Sequence, residues 1–160
     1  MGAVFTGAEI AGWYQRLDKP FFNPPGWIFG PVWTVLFLLM GISLYLVMEK
    51  DFKVSNRIGN SGLKAWNKWS ENFWSGPWQK INIVLVFIVQ LLLNIFWSII
   101  FFGAHNPGLA FFELLMLLAA IIYTTVNFYR VSKVAAYMLV PYILWVTFAG
   151  LLNLVIWLIN

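Results

Sequence analysis

The sequence of 160 residues contains no cysteine and little charge, because only 10% of its residues are acidic or basic. The absence of cysteine excludes disulfide bonds, thiolate metal ligands and cysteine nucleophiles. The single histidine, His105, has no second histidine or carboxylate at metal-ligand spacing. The sequence also lacks a glycine-rich phosphate loop and a nucleophile-elbow motif. We therefore predict no catalytic residue, no metal site and no required cofactor.

Apolar and aromatic residues dominate instead: 61% of the residues are hydrophobic, 19% are aromatic, and ten are tryptophan. A soluble domain of this length could not bury so much apolar surface, whereas several runs reach the ~20 residues that cross a bilayer. The sequence therefore predicts an all-α integral membrane protein in contact with lipid. With this hydropathy, the net charge of +4 indicates basic residues beside the membrane and no nucleic-acid partner.

The order of the apolar runs predicts one membrane domain over residues 1–160, folded as a five-transmembrane-helix bundle. Four full-length helices are predicted over about 28–48, 81–102, 109–129 and 134–158. A first helix over about 1–12 would rise only about 18 Å, so we expect it to be the second half of a truncated helix. Pro141 should kink the last helix.

The stretch over 49–80 is the longest polar segment, and it is rich in tryptophan and lysine. Its apolar and polar residues recur at helical spacing, which is typical of a helix lying in the membrane interface. Eight of the ten Lys and Arg residues lie in this stretch or in the short connection 130–133. In a bacterial cell membrane, which we expect for this chain, both segments would be cytoplasmic.

The loop before the second helix is stiffened by proline. Pro20, Pro24 and Pro25 fix φ and withhold backbone N–H donors, so this segment is extended and not helical. The dipeptide that follows at residues 30–31, Gly-Pro, suits a helix start. We expect this aromatic loop to act as a lid over whatever lies between the helices.

Polar side chains within apolar helices face other helices or a cavity, because lipid offers them no partner. Two stripes of this kind are present: Gln90, Asn94 and Ser98 on the third helix, and Tyr142, Trp145, Ala149 and Asn153 on the fifth. A polar and aromatic face beside a small residue suits the floor of a ligand pocket.

These polar residues can also serve the structure alone. Hydrogen bonds between membrane helices contribute about 0.6 kcal/mol each, and we favour that role for Ser98, Thr124 and Asn153. For Asn94 and Trp145 we give equal weight to packing and to ligand contact.

An intramembrane carboxylate is a functional candidate by default. Glu113 lies about one turn inside the fourth helix, close to the predicted turn at Asn106. We expect its side chain to reach back to water at that turn. His105, in the same turn, is expected to be a surface residue.

Several motifs occur together along the chain. They are Trp13-Tyr14-x-x-Leu17-x-Lys19-Pro20, Pro24-Pro25-x-Trp27-x-Phe29-Gly30-Pro31-Val32-Trp33-Thr34, Leu93-Asn94-x-x-Trp97, Phe101-Phe102-Gly103-Ala104, and Pro141-Tyr142-x-x-Trp145. This combination resembles the signature of the TspO/MBR family, the translocator proteins, tryptophan-rich sensory proteins and peripheral-type benzodiazepine receptors. The resemblance covers nearly the whole chain.

The resemblance implies a five-helix membrane fold, a homodimer, and binding of porphyrins such as protoporphyrin IX and haem, or of another hydrophobic small molecule. Carried onto this sequence, the ligand-binding residues would be Tyr14, Trp33, Phe37, Asn94, Trp97, Trp145 and Ala149, with Pro24, Pro25 and Trp27 in the lid.

Three functions stay open. The first is a receptor or transporter that binds a flat hydrophobic anion, with Arg16 or Lys19 meeting the propionates of a porphyrin. The second is an enzyme that degrades a bound porphyrin in light, with Trp33 or Trp145 as a redox-active side chain and the ligand supplying the chemistry. The third is a membrane subunit of a stress response whose pocket is vestigial.

Overall fold

The computed structural model of the chain describes residues 13–49 and 78–160, and every regular element in those ranges is helical. A short helix α1 (Trp13–Arg16) and a 3₁₀ turn (Gly26–Ile28) flank the proline-rich loop. The remaining elements are α2 (Phe29–Glu49), α3 (Trp78–Ser98), a π-helical turn (Ile99–Gly103), α4 (Pro107–Val131), α5 (Lys133–Met138) and α6 (Val140–Ile159).

Four segments in these ranges are long and apolar enough to cross a membrane: Gly26–Glu49, Ile81–Gly103, Pro107–Val131 and Lys133–Ile159. They correspond to the four full-length helices predicted above. The partial helix predicted over 1–12 lies outside the described residues, and so does the predicted interfacial segment from 50 to 77. The last residues of that predicted segment, 78–80, belong to α3.

Proline marks the boundaries of the helices, as its chemistry dictates. Pro25 has extended backbone angles (φ −56°, ψ 139°) and precedes the 3₁₀ turn that leads into α2. Pro141 lies in the first turn of α6, where its missing N–H is tolerated. The helix is interrupted at Leu139, two residues before Pro141, where the Leu139 N–H donates to the Ala136 carbonyl at 3.0 Å; the predicted kink at Pro141 stays a prediction.

The turn between α3 and α4 begins with a widened helical turn. The Ala104 N–H donates to the Ile99 carbonyl, five residues back, at 2.9 Å. His105 follows with φ 52°, in the left-handed region, and its exposed ring stacks on Trp13 with centroids 4.5 Å apart. The Asn106 side chain then caps α4 by accepting from the Leu109 N–H at 3.0 Å.

The core is packed most continuously at the end where α2 finishes and α3 begins. Buried residues from α2 to α6 form one cluster there, including Met40, Val47, Phe87, Ile121 and Leu139. The buried Ser43 hydroxyl donates to the Ala135 carbonyl at 2.7 Å, which ties α2 to α5. At the opposite end a second cluster includes Tyr14, Phe101, Phe102 and Ile156, beside the proline-rich loop. We call this opposite end the loop end.

Close packing of α4 on α6 at the loop end depends on a glycine. A Cβ atom at Gly108 would lie 2.9 Å from the Trp157 ring, well inside contact distance. The absence of a side chain thus lets the indole of Trp157 lie against the first turn of α4.

Candidate functional site

A cavity of about 750 Å³ occupies the loop end of the bundle, among α1, the 3₁₀ turn, α2, α3 and α6. This volume lies within the roughly 300–1,000 Å³ that is typical of small-molecule sites. Its lining comprises Tyr14, Gly26, Trp27, Phe29, Gly30, Trp33, Thr34, Phe37, Leu91, Asn94, Ile95, Trp97, Ser98, Phe101, Phe102, Ala149, Leu152, Asn153 and Ile156. No residue in this described lining is charged.

One wall of the cavity is a cluster of aromatic rings from α3 and the π-helical turn. Trp97 and Phe101 are stacked with centroids 5.4 Å apart and planes at 21°. Phe102 meets Phe101 edge-on at 4.9 Å, and the Tyr14 ring lies 6.0 Å from each of these two phenylalanines. The widened turn places Phe101 and Phe102 side by side, both buried, so this wall is packed and rigid.

The opposite wall comes from the first turns of α2. Trp33 stacks on Phe37 with centroids 5.6 Å apart, because residues four apart share one face of a helix. Trp33 also meets the buried Tyr142 of α6 edge-on at 6.2 Å. Two aromatic faces and small residues such as Ala149 and Gly30 therefore enclose the space.

The polar groups of the lining lie on α3 and α6. Asn94 is buried, and its Nδ2 donates to the Tyr142 hydroxyl at 3.1 Å. The Asn153 amide, oriented to satisfy both neighbours, donates to the Pro107 carbonyl at 2.9 Å and accepts from the Phe111 N–H at 3.3 Å. In that orientation Asn153 bonds from α6 to α4, which is the interhelical role favoured for it, and it also lines the cavity.

The stripe Gln90, Asn94 and Ser98 faces inward as predicted, because all three residues are buried. Ser98 lines the cavity together with Asn94. The Thr124 hydroxyl donates to the Ala120 carbonyl of its own helix at 2.8 Å, so its hydroxyl proton is not used in the interhelical hydrogen bond that we favoured for it with the described helices. Gln90 has no hydrogen-bond partner for either amide atom within the described residues.

Tyr14 connects the cavity to the proline-rich loop. Its ring lines the cavity, and its hydroxyl donates to Asn23 Oδ1 at 2.7 Å. Burial raises the pKa of the Tyr14 hydroxyl, while the bond to Asn23 acts in the opposite direction, so the group stays protonated and remains a donor. The Lys19 Nζ lies over the Tyr14 ring, 4.9 Å from the ring centroid.

Of the ten predicted ligand-binding residues, the structure brings seven to the cavity lining: Tyr14, Trp27, Trp33, Phe37, Asn94, Trp97 and Ala149. Pro24, Pro25 and Trp145 are not part of it. The loop therefore contributes Gly26 and Trp27 to the lining and not its prolines. Whether any of these residues contacts a ligand stays a prediction.

Trp145 lies next to the cavity lining. It packs edge-on against Phe29, a lining residue, at 5.8 Å, and its plane is tilted by 39° to that of Phe148 at 5.7 Å. Its Nε1 is buried with no partner among the described residues. On this face of α6, Ala149 therefore lines the cavity and Trp145 does not, although Trp145 contacts the lining residue Phe29.

The expectation that Glu113 reaches water at the Asn106 turn is wrong. Glu113 is only 4% exposed, and neither carboxyl oxygen has a hydrogen-bond partner in the described part of the chain. Its position on α4 buries it with Ala110 and Leu117, one helical turn to either side.

Several lining residues were not among the predicted ligand-binding residues, although they continue the predicted stripes by one or two helical turns. Phe101 and Phe102 extend the Asn94 and Ser98 stripe, and Leu152 and Ile156 extend the stripe of Ala149. The same helical period that predicted the stripes could have been followed to these residues. Thr34 gave less indication of a cavity position in the sequence. A threonine can satisfy its hydroxyl within its own helix, and the Thr34 hydroxyl does so by donating to the Gly30 carbonyl at 2.9 Å.

The helices and the cavity define an integral membrane protein whose bundle encloses an uncharged, aromatic site at one end. The family model of the TspO/MBR family matches residues 1–158. The chain therefore belongs to the TspO/MBR family.

Individual relatives match over nearly the whole chain. The tryptophan-rich protein TspO of Archaeoglobus fulgidus is 37% identical, and the match covers 99% of this chain and 87% of that protein. The translocator protein of Homo sapiens is 36% identical over 98% of this chain and 80% of its own length. The protein CrtK of Rhodobacter capsulatus is 32% identical over 99% of this chain and 83% of its own length.

Proposed function

We propose that this protein is a receptor- or transporter-like membrane protein that binds a porphyrin, such as protoporphyrin IX or haem, or a similar flat hydrophobic molecule. The observation that carries the proposal is the cavity of about 750 Å³ with aromatic walls and a few polar groups. Stacked and edge-on rings present flat apolar surfaces, which suit a planar ligand. Family membership and the resemblance to translocator proteins support the same ligand class.

The charge distribution predicts how a porphyrin would be oriented. The described lining is uncharged, so the macrocycle belongs inside and its carboxylates belong at the loop end. Among the described residues, Lys19 brings a cation to the lining, because its Nζ lies over the Tyr14 ring; the same Nζ donates to the Leu17 carbonyl at 3.3 Å. Arg16 is exposed nearby on α1.

The test compares protoporphyrin IX with its uncharged dimethyl ester, following quenching of tryptophan fluorescence in detergent. Wild-type protein should bind both. Lys19→Gln should weaken binding of the free acid by up to roughly fivefold, the range for an exposed ion pair, and leave the ester unchanged. Lys133→Gln is the matched control, because Lys133 also lies over a tyrosine ring, that of Tyr129, but at the opposite end of the bundle from the cavity. Absence of saturable binding of either porphyrin to wild-type protein would reject the proposed function.

A second candidate function is light-dependent breakdown of the bound porphyrin. It is favoured by Trp33 and Trp97, because both indoles line the cavity and would touch a ligand there. Trp145, the other residue considered for this role, is not in the cavity lining. Illumination of the complex in air distinguishes the two functions, since a degrading enzyme consumes the pigment faster than the same light bleaches it in detergent alone, and a binding protein does not. A Trp33→Phe variant should then lose the consumption but retain binding.

The proposal also includes a homodimer in a bacterial cell membrane, with transport or stress signalling as the role. Family membership supports the dimer, and the large apolar helix faces that remain exposed on one chain are compatible with it. Mass measurement of the detergent-solubilised protein by light scattering would test the dimer.

A further inference from the structure

The proline-rich loop is fastened to the end of α6 by a single side chain. Asn160 Oδ1 accepts from the Asp18 N–H at 3.0 Å, and Asn160 Nδ2 donates to the Asp18 carbonyl at 3.0 Å. One amide thus pairs with both backbone polar groups of one loop residue. We call this pair of bonds the Asn160 clasp.

The clasp is oriented by the helix that carries it. Asn160 Nδ2 also donates to the Ile156 carbonyl at 2.9 Å, one turn earlier in α6. Ile156 lines the cavity, and so does Ala149 on the same helix. The clasp and one wall of the cavity therefore belong to a single rigid element.

A second fastening lies five residues further along the loop. The Tyr14 hydroxyl donates to Asn23 Oδ1 at 2.7 Å, and Phe22 meets Phe148 of α6 edge-on at 6.4 Å. The loop then continues directly into Gly26 and Trp27, which line the cavity. The two fastenings thus hold the loop in the register that places Tyr14 and Trp27 beside the site.

We propose that Asn160 is the positioning residue of this loop, and that exchange of ligand with the cavity requires the Asn160 clasp to open. The inference rests on the proposed function for its ligand. Both bonds of the clasp are exposed to solvent, so they can break and re-form readily. If the clasp opened at Asp18, the loop would still be held at Asn23. The segment between α1 and Asn23 would then be free to move.

The alternative role for Asn160 is to terminate α6 and nothing more, since its backbone N–H also donates to the Ile156 carbonyl at 3.2 Å. The two roles differ in what a variant changes. An end-capping role affects the stability of α6, whereas a positioning role changes the loop and the rates of ligand exchange.

The first experiment measures hydrogen exchange over residues 14–23 in the full chain, without ligand, together with the dissociation rate of protoporphyrin IX. Asn160→Ala should speed both by about five- to tenfold, as expected for losing two exposed hydrogen bonds. Thr147→Ala is the control, because the Thr147 hydroxyl is exposed on α6 and, among the described residues, bonds to the Ile143 carbonyl of its own helix alone. It should leave both rates unchanged.

The second experiment closes the clasp covalently, which the cysteine-free sequence permits. A double variant, Asp18→Cys with Asn160→Cys, is joined by a short bifunctional maleimide. Before joining, it should behave like Asn160→Ala. After joining, porphyrin dissociation should become at least tenfold slower than in wild-type protein.

The inference is overturned if Asn160→Ala leaves loop exchange unchanged, or if the joined variant releases porphyrin as fast as the unjoined one. If wild-type protein binds no porphyrin, the proposed function fails separately. Loop exchange, which needs no ligand, still judges the clasp in that case.

Discussion

Glu113 is a buried carboxyl group on a membrane-spanning helix, without a hydrogen-bond partner among the described residues. Leaving a buried polar group unsatisfied costs about 1–3 kcal/mol. Replacing it with an apolar side chain of similar size removes that cost. We therefore expect Glu113→Leu to stabilise the protein by about 1–3 kcal/mol, seen as a higher thermal midpoint in one detergent.

Leu117→Ala, one turn further along the buried face of α4, provides the contrast. It removes apolar contacts and should destabilise the protein by about 2–5 kcal/mol. If Glu113→Leu also destabilised the protein, the carboxyl group would have to make bonds that the described residues do not supply.

Ala149 is the lining residue whose replacement separates ligand contact from packing most cleanly. It has no polar group, is 8% exposed, and faces the cavity from α6. Ala149→Leu should fill part of the cavity and weaken porphyrin binding by tenfold or more, about 1.4 kcal/mol or above, with the fold retained. Fluorescence titration and thermal melting of the same sample measure the two effects.

The matched control is Ala119→Leu, which adds the same side chain on an exposed position of α4. Trp145→Ala provides a comparison of another kind, because this ring is not in the cavity lining and contacts the lining residue Phe29. It should lower stability as well as affinity, since removing a packed indole leaves a void. Equal affinity of Ala149→Leu and wild-type protein would place the ligand elsewhere.

At the scale of the elements, the full-length helices could be predicted because uninterrupted apolar runs and proline positions specify them locally. The interruption between α5 and α6 falls at Leu139, two residues before Pro141. The π-helical turn at Ile99–Gly103 could not be predicted. Its backbone hydrogen bonds reach five residues back instead of four, and no particular residue type is required for that change. That turn decides how Phe101 and Phe102 both face the cavity.

Site residues could be predicted where their position depends only on which face of a helix they occupy. They could not be predicted where a side chain of a neighbouring helix decides whether that face reaches the cavity. Asn94 and Ala149 follow from spacing along α3 and α6 alone. Trp145 shares a face with Ala149, but it contacts Phe29 of α2 and is not in the cavity lining. The burial of Glu113 likewise depends on the neighbouring helices. The sequence indicates only how far Glu113 lies from the turn at Asn106.

The stiffness of the proline-rich loop is a property of the element, and it can be changed without touching the cavity lining. Replacing Pro24 and Pro25 with glycine frees backbone angles that the prolines fix. Ordering the loop would then cost roughly 1–2 kcal/mol more per freed residue. We expect faster ligand dissociation with a smaller change in the association rate, measured by stopped-flow fluorescence.

Pro20→Gly serves as the comparison, because Pro20 lies between the two fastenings at Asp18 and Asn23. Its effect should be smaller than that of the pair next to Gly26 and Trp27. Unchanged dissociation in the Pro24 and Pro25 double variant, with an intact fold, would show that the loop does not limit release.

At the scale of the whole molecule, the two ends of the bundle differ in how tightly they are packed. The end that holds Val47, Ile83 and Phe128 is tightly packed and is joined by the bond from Ser43 to Ala135. At the loop end, neighbouring helices touch at their edges, as Trp157 does against Gly108. The cavity lies between the helices there. Packing at one end thus permits an open site at the other.

The charge distribution gives these two ends a direction in the membrane. Arg130 and Lys133 lie at the packed end, and the 49–80 stretch, which joins α2 to α3 there, holds six more basic residues. The loop end has only Arg16 and Lys19. By the positive-inside tendency, the packed end should face the cytoplasm of a bacterial cell and the cavity should face outward.

Single cysteines in the cysteine-free chain test this orientation in living cells. Phe21→Cys places a thiol on a residue that is 99% exposed in the proline-rich loop, and Asn60→Cys places one in the 49–80 stretch. A membrane-impermeant maleimide should label the first in intact cells and the second only after lysis. The wild-type chain controls for background. Labelling of Asn60→Cys but not Phe21→Cys in intact cells would show the reverse insertion, and the cavity would then open toward the cytoplasm.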